Sequence, residues 1–165
     1  MKNSEPELTR IRVDLPNHWW HKEESLWARH LGDDYEIAKI PFCAYGLNCG
    51  DVVLATPDAP DQEPEVRSVL RRSGNQTLRM SFCDQLSNDE QQSVLSALES
   101  MGAEAERVTA QFVCVNVPPT TDLQAVRDYL IAQESAGALE HETCGERVAG
   151  SFDDRARSPE STREA

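Results

Sequence analysis

The sequence predicts an α+β domain, and three observations carry that prediction. Between residues 10 and 82, short stretches of alternating apolar residues are separated by turns and no helical period shows. From Ser87 onward the period changes to that of amphipathic helices separated by apolar runs. With 165 residues and 39% hydrophobic content, the chain suffices for one core, or for two small units sharing one. Strands first and mixed elements afterwards argue α+β rather than a doubly wound sheet.

Taken in order, Ile11, Val13 and Leu15 alternate with Arg10, Arg12 and Asp14, a half-buried strand stopped by Pro16. Residues 17–24 hold Trp19 and Trp20 side by side, an aromatic flap with one ring on the sheet and the other partly wet. A strand follows over 25–31, with Leu26, Ala28 and His30 on one face and Trp27, Arg29 and Leu31 on the other. Gly32-Asp33-Asp34 is its hairpin turn, and 35–40 is the partner strand, ended by Pro41, which cannot donate to a ladder. The elbow 42–50 bends at Gly46 and Gly50, and Val52-Val53-Leu54-Ala55 reads as a buried strand. Residues 56–65, with three prolines and four carboxylates, read as a mobile, solvated hairpin tip.

Strands are expected over 66–70 and 77–82, joined by a polar turn. In the second of these, Leu78, Met80 and Phe82 face the core, which leaves Arg79 on the other side with an ordinary solvent reading. Ser87-Asn88-Asp89-Glu90 is a capping box. Val94, Leu95, Leu98 and Met101 make one helical face, stopped by Gly102. Residues 108–117 read as one long strand ended by Pro118-Pro119. Thr121 or Asp122 caps a second helix with the stripe Leu123, Val126 and Leu130, ended by Gly137, and a last strand covers 139–144. The expected architecture is one α+β domain over 10–145. Its all-β part, 10–82, is a curled, barrel-like antiparallel sheet. Its β-α-β-α-β part, 77–144, is similar to the ferredoxin-like arrangement. Residues 146–165 read as a disordered tail.

Charge is uneven. Residues 83–146 hold two Arg and no Lys against 12 Asp and Glu, a net of −10 within a chain of net −13. Such a surface repels phosphate backbones and steers a basic protein partner; its plainer role is to keep the protein soluble. Only Arg67, Arg71, Arg72 and Arg79 offer a basic face for nucleic acid, and no nucleic-acid partner is expected. No apolar run approaches the roughly 18 residues of a membrane span, and residues 1–12 are polar, so no signal peptide, no membrane contact and a cytoplasmic location are expected.

Five cysteines at wide spacing are expected as free thiols. Cys43 and Cys49 lack the second ligand pair of a structural zinc site, and His18 and His21 lack further ligands, so no metal or other cofactor is expected. The sequence has no G-x-S-x-G elbow, phosphate loop, H-E-x-x-H or C-x-x-C. A catalytic set would have to join Cys43 or Cys49 with His18, His21 or His30 and Asp51 as orienter. The candidate binding residues are Tyr45, Asp51, Asn75 and Arg79, around a loop held by a scaffold. A structural role competes at each: Tyr45 packed under the elbow, Asp51 accepting turn amides. Two functions follow as expectations: a non-enzymatic binding protein for a basic protein partner, as in immunity or inhibitor proteins, or a small-molecule sensor or enzyme using the elbow 42–51.

Several blocks carry a resemblance. Leu26-Trp27-Ala28, Tyr35-x-Ile37 and Ile40-Pro41-Phe42-x-Ala44-Tyr45-Gly46-x-x-x-Gly50-Asp51-Val52-Val53 resemble a small bacterial family, domain of unknown function 4265. Ser73-Gly74-Asn75-x-Thr77-Leu78-Arg79 is similar to its second block, and Gly102 and Val117-Pro118-Pro119 sit where it has a helix end and a strand end. The resemblance spans about residues 10–145, with the elbow as its most specific part. It implies a bacterial, cytoplasmic, single-domain protein and carries over no catalytic residue.

Overall fold

Alternation builds the first sheet. Along β2 (Glu23–Leu31) the residues Glu24, Leu26 and Ala28 turn inward while Ser25 and Trp27 face out. The structure, a computed structural model, describes residues 7–15 and 22–145; the expected Trp19-Trp20 flap, His18, His21 and the tail 146–165 lie outside them. β1 (Leu8–Asp14), β2, β3 (Asp34–Ile37), β4 (Val52–Thr56) and β5 (Glu65–Arg71) follow one another antiparallel and close into a five-stranded ring. Register shifts in β4 at Val52/Val53 and Leu54/Ala55 bend the sheet enough to close. The closing seam is short: β1 and β5 run parallel and share the single pair Arg12↔Glu65, with Arg12 N donating to Pro64 O at 2.7 Å.

Side chains stitch that seam. Arg12 reaches Asp58 at 2.7 Å and Glu65 at 3.1 Å, and Arg67 reaches Asp58 at 2.5 Å and Glu65 at 3.0 Å. Hydrogen bonds from Arg67 and then Arg12 hold the Asp58 carboxyl below its usual range. Most of the 56–65 segment is exposed, as a solvated tip should be, and Asp58 and Glu63, which accepts from Ser25 Oγ at 3.0 Å, tie it back onto the ring.

The second half is β6 (Gln76–Phe82), α1 (Asn88–Ser100), β7 (Glu104–Arg107), β8 (Phe112–Val117), α2 (Leu123–Ser135) and β9 (Leu139–Thr143). Its sheet is fully antiparallel in the order β7-β8-β6-β9, the ferredoxin-like β-α-β-β-α-β arrangement. The expected single strand over 108–117 is a hairpin instead. Thr109 Oγ1 accepts the amides of Gln111 and Phe112, and this hydroxyl turn folds the chain back so that Glu104–Arg107 pairs with β8. Ser87 caps α1 by accepting from Glu90 N, and Asp122 caps α2 by accepting from Ala125 N. Leu78, Met80 and Phe82 of β6 and Val113, Val115 and Val117 of β8 form one buried cluster with Val94 and Leu98 of α1 and Val126 and Leu130 of α2. Neither helix is long and apolar enough to cross a membrane.

The central strands β6 and β8 of this second sheet are buried on both faces. Opposite the helices, Thr77, Arg79, Cys114 and Asn116 are each 3% exposed or less. That face is covered by the elbow 42–50. The elbow also sends Ala44 and Leu47 into the ring's own core beside Ile11, Leu26, Ile37 and Val53.

Candidate functional site

Arg79 is the centre of the junction between the halves. Its partners across the sheet are Cys114 on β8 and Glu142 on β9, so its side chain rises from the middle of the face that the elbow covers. It is 2% exposed, not the solvent-facing arginine that alternation suggests: β6 is covered on both sides, and the period of two marks sides without saying which are wet. The guanidinium donates to the carbonyls of Cys43 at 3.1 Å, Pro41 at 3.4 Å and Ala44, and lies 3.6 Å from the Glu142 carboxylate. It also stacks 4.9 Å from the centroid of the Tyr45 ring, whose hydroxyl donates to Glu142 at 2.7 Å.

The same turn is gripped from its other side. Glu24, on the inward face of β2 and 8% exposed, accepts the amides of Phe42 at 2.5 Å, Cys43 at 2.9 Å and Ala44 at 2.8 Å. Residues 41–44 thus run between a buried cation that takes their carbonyls and a buried anion that takes their amides. A backbone with no sheet ladder of its own meets its hydrogen-bonding needs this way.

The end of the elbow is fixed by Asp51, which is fully buried. Its carboxylate accepts from Asn48 N at 3.0 Å, Ser73 N at 2.9 Å and Arg72 Nη1 at 3.1 Å. Asn48 Oδ1 in turn accepts from the amide and the hydroxyl of Thr77, both at 2.9 Å. Asn75 donates to Cys49 O at 2.8 Å, as Ser73 Oγ does at 2.7 Å. Gly50, at φ +84°, lets these chains approach: a Cβ there would stand 2.9 Å from Ser73 Cβ.

All four candidate residues therefore meet in one network. Tyr45 and Arg79 hold its start, Asp51 and Asn75 its end. Each has a structural partner, and Asp51 takes the amide-accepting role weighed for it. Asn75 also lines a cavity of about 290 Å³ beside the elbow, with Asn48, Arg72, Thr77 and Cys144. Sequence reasoning missed Glu24 and Glu142. Glu24 had a visible signal, a carboxylate at an inward position of an alternating strand; Glu142 had none, since its inward neighbour Arg79 lies 63 residues earlier.

For Cys49, thiol chemistry finds no support in this geometry; the candidate partners His18 and His21 lie outside the described residues. Burial raises the Cys49 thiol above its ordinary value, the reverse of an activated nucleophile. Asp51 is occupied by two amides and an arginine rather than a histidine, and His30 packs against Tyr35 with ring centroids 4.8 Å apart. Among the described residues no group of three His, Cys, Asp or Glu is placed to hold a metal ion. Arg67 and Arg72 are paired with carboxylates and Arg79 is buried, which leaves Arg71 as the one unpaired member of the expected basic face among the described residues.

Fold and site together define an α+β protein in which a closed ring and a ferredoxin-like sheet are clasped through a buried arginine. The chain belongs to the family described as domain of unknown function (DUF4265), whose sequence profile matches residues 24–141. It is similar to a solved hypothetical protein from Neisseria gonorrhoeae, at 21% identity and a TM-score of 0.70, over 86% of this chain and 96% of that one; the likeness shows the fold alone. No curated protein matches the chain. Two of the sequence blocks that carried the resemblance, 40–53 and 73–79, are the two sides of the clasp.

Proposed function

We propose that this protein is a non-enzymatic binding protein that receives a basic protein partner on the helical face of its second half. The observation that carries the reading is a contrast in how charge is used. On the ring, Arg10, Arg12, Arg29 and Arg67 all meet carboxylates of the ring. On the helices, Asp89, Glu90, Glu99, Asp122 and Asp128 are exposed and make no ion pair among the described residues, and Arg127 is the one cation on either helix. Unpaired like charges raise the electrostatic energy of the free protein and are relieved by an opposite surface.

The test is affinity capture from an extract of the source organism at low salt and at about 0.5 M salt, where the screening length falls to a few ångströms. It is repeated with the variant Asp89→Lys, Glu99→Lys, Asp128→Lys. A basic partner held at low salt, and lost both at high salt and with the variant, supports the reading. Retention under both conditions refutes it.

A second reading rests on the 290 Å³ cavity beside the elbow. Its amide, hydroxyl and guanidinium lining suits a small polar ligand, with Asn75 in contact and Tyr45, Asp51 and Arg79 holding the wall behind it. Ligand-induced amide shifts at Asn48, Asn75 and Thr77, lost in Asn75→Ala, would favour it; a metabolite screen that moves none of these signals removes it.

A further inference from the structure

On the same helical face, a cleft of about 520 Å³ opens between the start of α1 and the end of α2. Its floor is apolar, with Leu86, Val94 and Ala138, and its walls are Tyr129, Gln133 and the carboxylate-bearing Glu90. No lysine or arginine lines it. Glu90 makes no ion pair among the described residues, and α2 ends at the cleft with no basic residue in its last turn, its last carbonyls met only by the backbone amides of Ala136, Gly137 and Ala138. An apolar floor beside one carboxylate with no cation near it is the complement of a side chain with an aliphatic stem and a cationic head. The Tyr129 ring adds a flat surface on which a guanidinium stacks, and Glu90 a carboxylate that it meets with two parallel hydrogen bonds. The volume lies within the roughly 300–1,000 Å³ of ligand sites and exceeds one side chain, which leaves room for flanking backbone.

We infer that this cleft is the receptor for an arginine side chain presented by the basic protein partner. The assignment rests on the reading above and narrows it to one contact: the stem lies along Leu86 and Val94, and the guanidinium reaches Glu90 over the ring of Tyr129.

The test uses the full chain, labelled with nitrogen-15, and three probes: acetyl-Gly-Arg-Gly-amide, its citrulline counterpart and spermidine. The arginine peptide is expected to give saturable amide shifts confined to residues 83–94 and 129–138. Citrulline, which keeps the shape and loses the charge, binds roughly tenfold more weakly. Glu90→Gln weakens the arginine peptide roughly three- to fivefold, as for a partly exposed pair. Ser93→Trp, an exposed position on the cleft wall, abolishes the shifts while the thermal midpoint stays that of the parent. Absence of saturable shifts, equal binding of the citrulline peptide, or tighter binding of spermidine overturns the assignment. The two proposals fail separately. A salt-sensitive basic partner retained by both Glu90→Gln and Ser93→Trp removes the arginine receptor and leaves the acidic-face reading standing. Salt-insensitive capture removes the acidic-face reading itself.

Discussion

Replacing Arg79 with methionine removes the centre of the clasp while roughly refilling its volume, so the cost is electrostatic rather than that of a cavity. Three carbonyls, at Pro41, Cys43 and Ala44, lose their donor, and Glu142, 8% exposed, loses its cation. Breaking a buried pair from one side costs about 3–5 kcal/mol, because the remaining charge is left buried. Against a total stability of roughly 5–15 kcal/mol for a domain, that is a large fraction. Urea denaturation followed by tryptophan fluorescence measures it as a drop in midpoint at constant slope. Adding Glu142→Gln to the variant is expected to return about 1–2 kcal/mol, the signature of direct coupling. Arg79→Lys is expected to fall near the methionine variant, since one ammonium does not span the carbonyls that the planar fork reaches. A loss under about 1 kcal/mol for Arg79→Met would refute the view that this cation holds the halves together.

Gly50→Ala is expected to cost about 1–3 kcal/mol by the same assay, since it puts a Cβ at φ +84° and 2.9 Å from Ser73, whereas Gly32→Asn, with no atom within 4 Å, stays within about 0.5 kcal/mol. Burial pushes the Cys144 thiol from its ordinary value up to about 12, and raises Cys114 further. Between pH 9 and 12 the unfolded thiol has lost its proton and the folded one keeps it. Stability is therefore fully present below pH 9 and falls as pH rises, by about 1 kcal/mol per unit per thiol, and Cys144→Ala under reducing conditions flattens the slope. Ser87→Ala and Asp122→Ala each remove a helix cap and are expected to lower stability by about 1 kcal/mol, measured calorimetrically.

The backbone order was largely legible because the ring strands and the helices obey different periods. The alternation of Leu26 with Ala28 and the spacing of Val94 to Leu98 are local facts that packing then honours. The hairpin at Thr109 was hidden because Val108 and Phe112 sit at positions that continue the alternation of 112–117, so a hydroxyl turn overrode a consistent apolar pattern. The site was half legible. Tyr45, Asp51, Asn75 and Arg79 stood out by type within recognisable blocks. Their joining into one network depends on β6 lying under the elbow, a tertiary fact that no local period encodes. Arg79 shows the limit best: alternation put it opposite Met80, and burial of that side came from residues 35 and more positions away.

The clasp also has a consequence in time. Tyr45 finds its carboxylate 97 positions later, at Glu142, and the carbonyl of Ala44 finds its guanidinium 35 positions later. As the chain leaves the ribosome, the ring strands are complete while the segment that plugs their core still lacks its cation. Contacts so distant along the chain slow the search for the native state, since the loop entropy is lost before the contact forms. The elbow has its full set of partners only once β9 has been made, since Tyr45 and Gly46 meet Glu142 and Cys144 there. Until Arg79 on β6 docks, the carbonyls of Pro41, Cys43 and Ala44 lack their donor, and that interval is when a holding chaperone has most to protect.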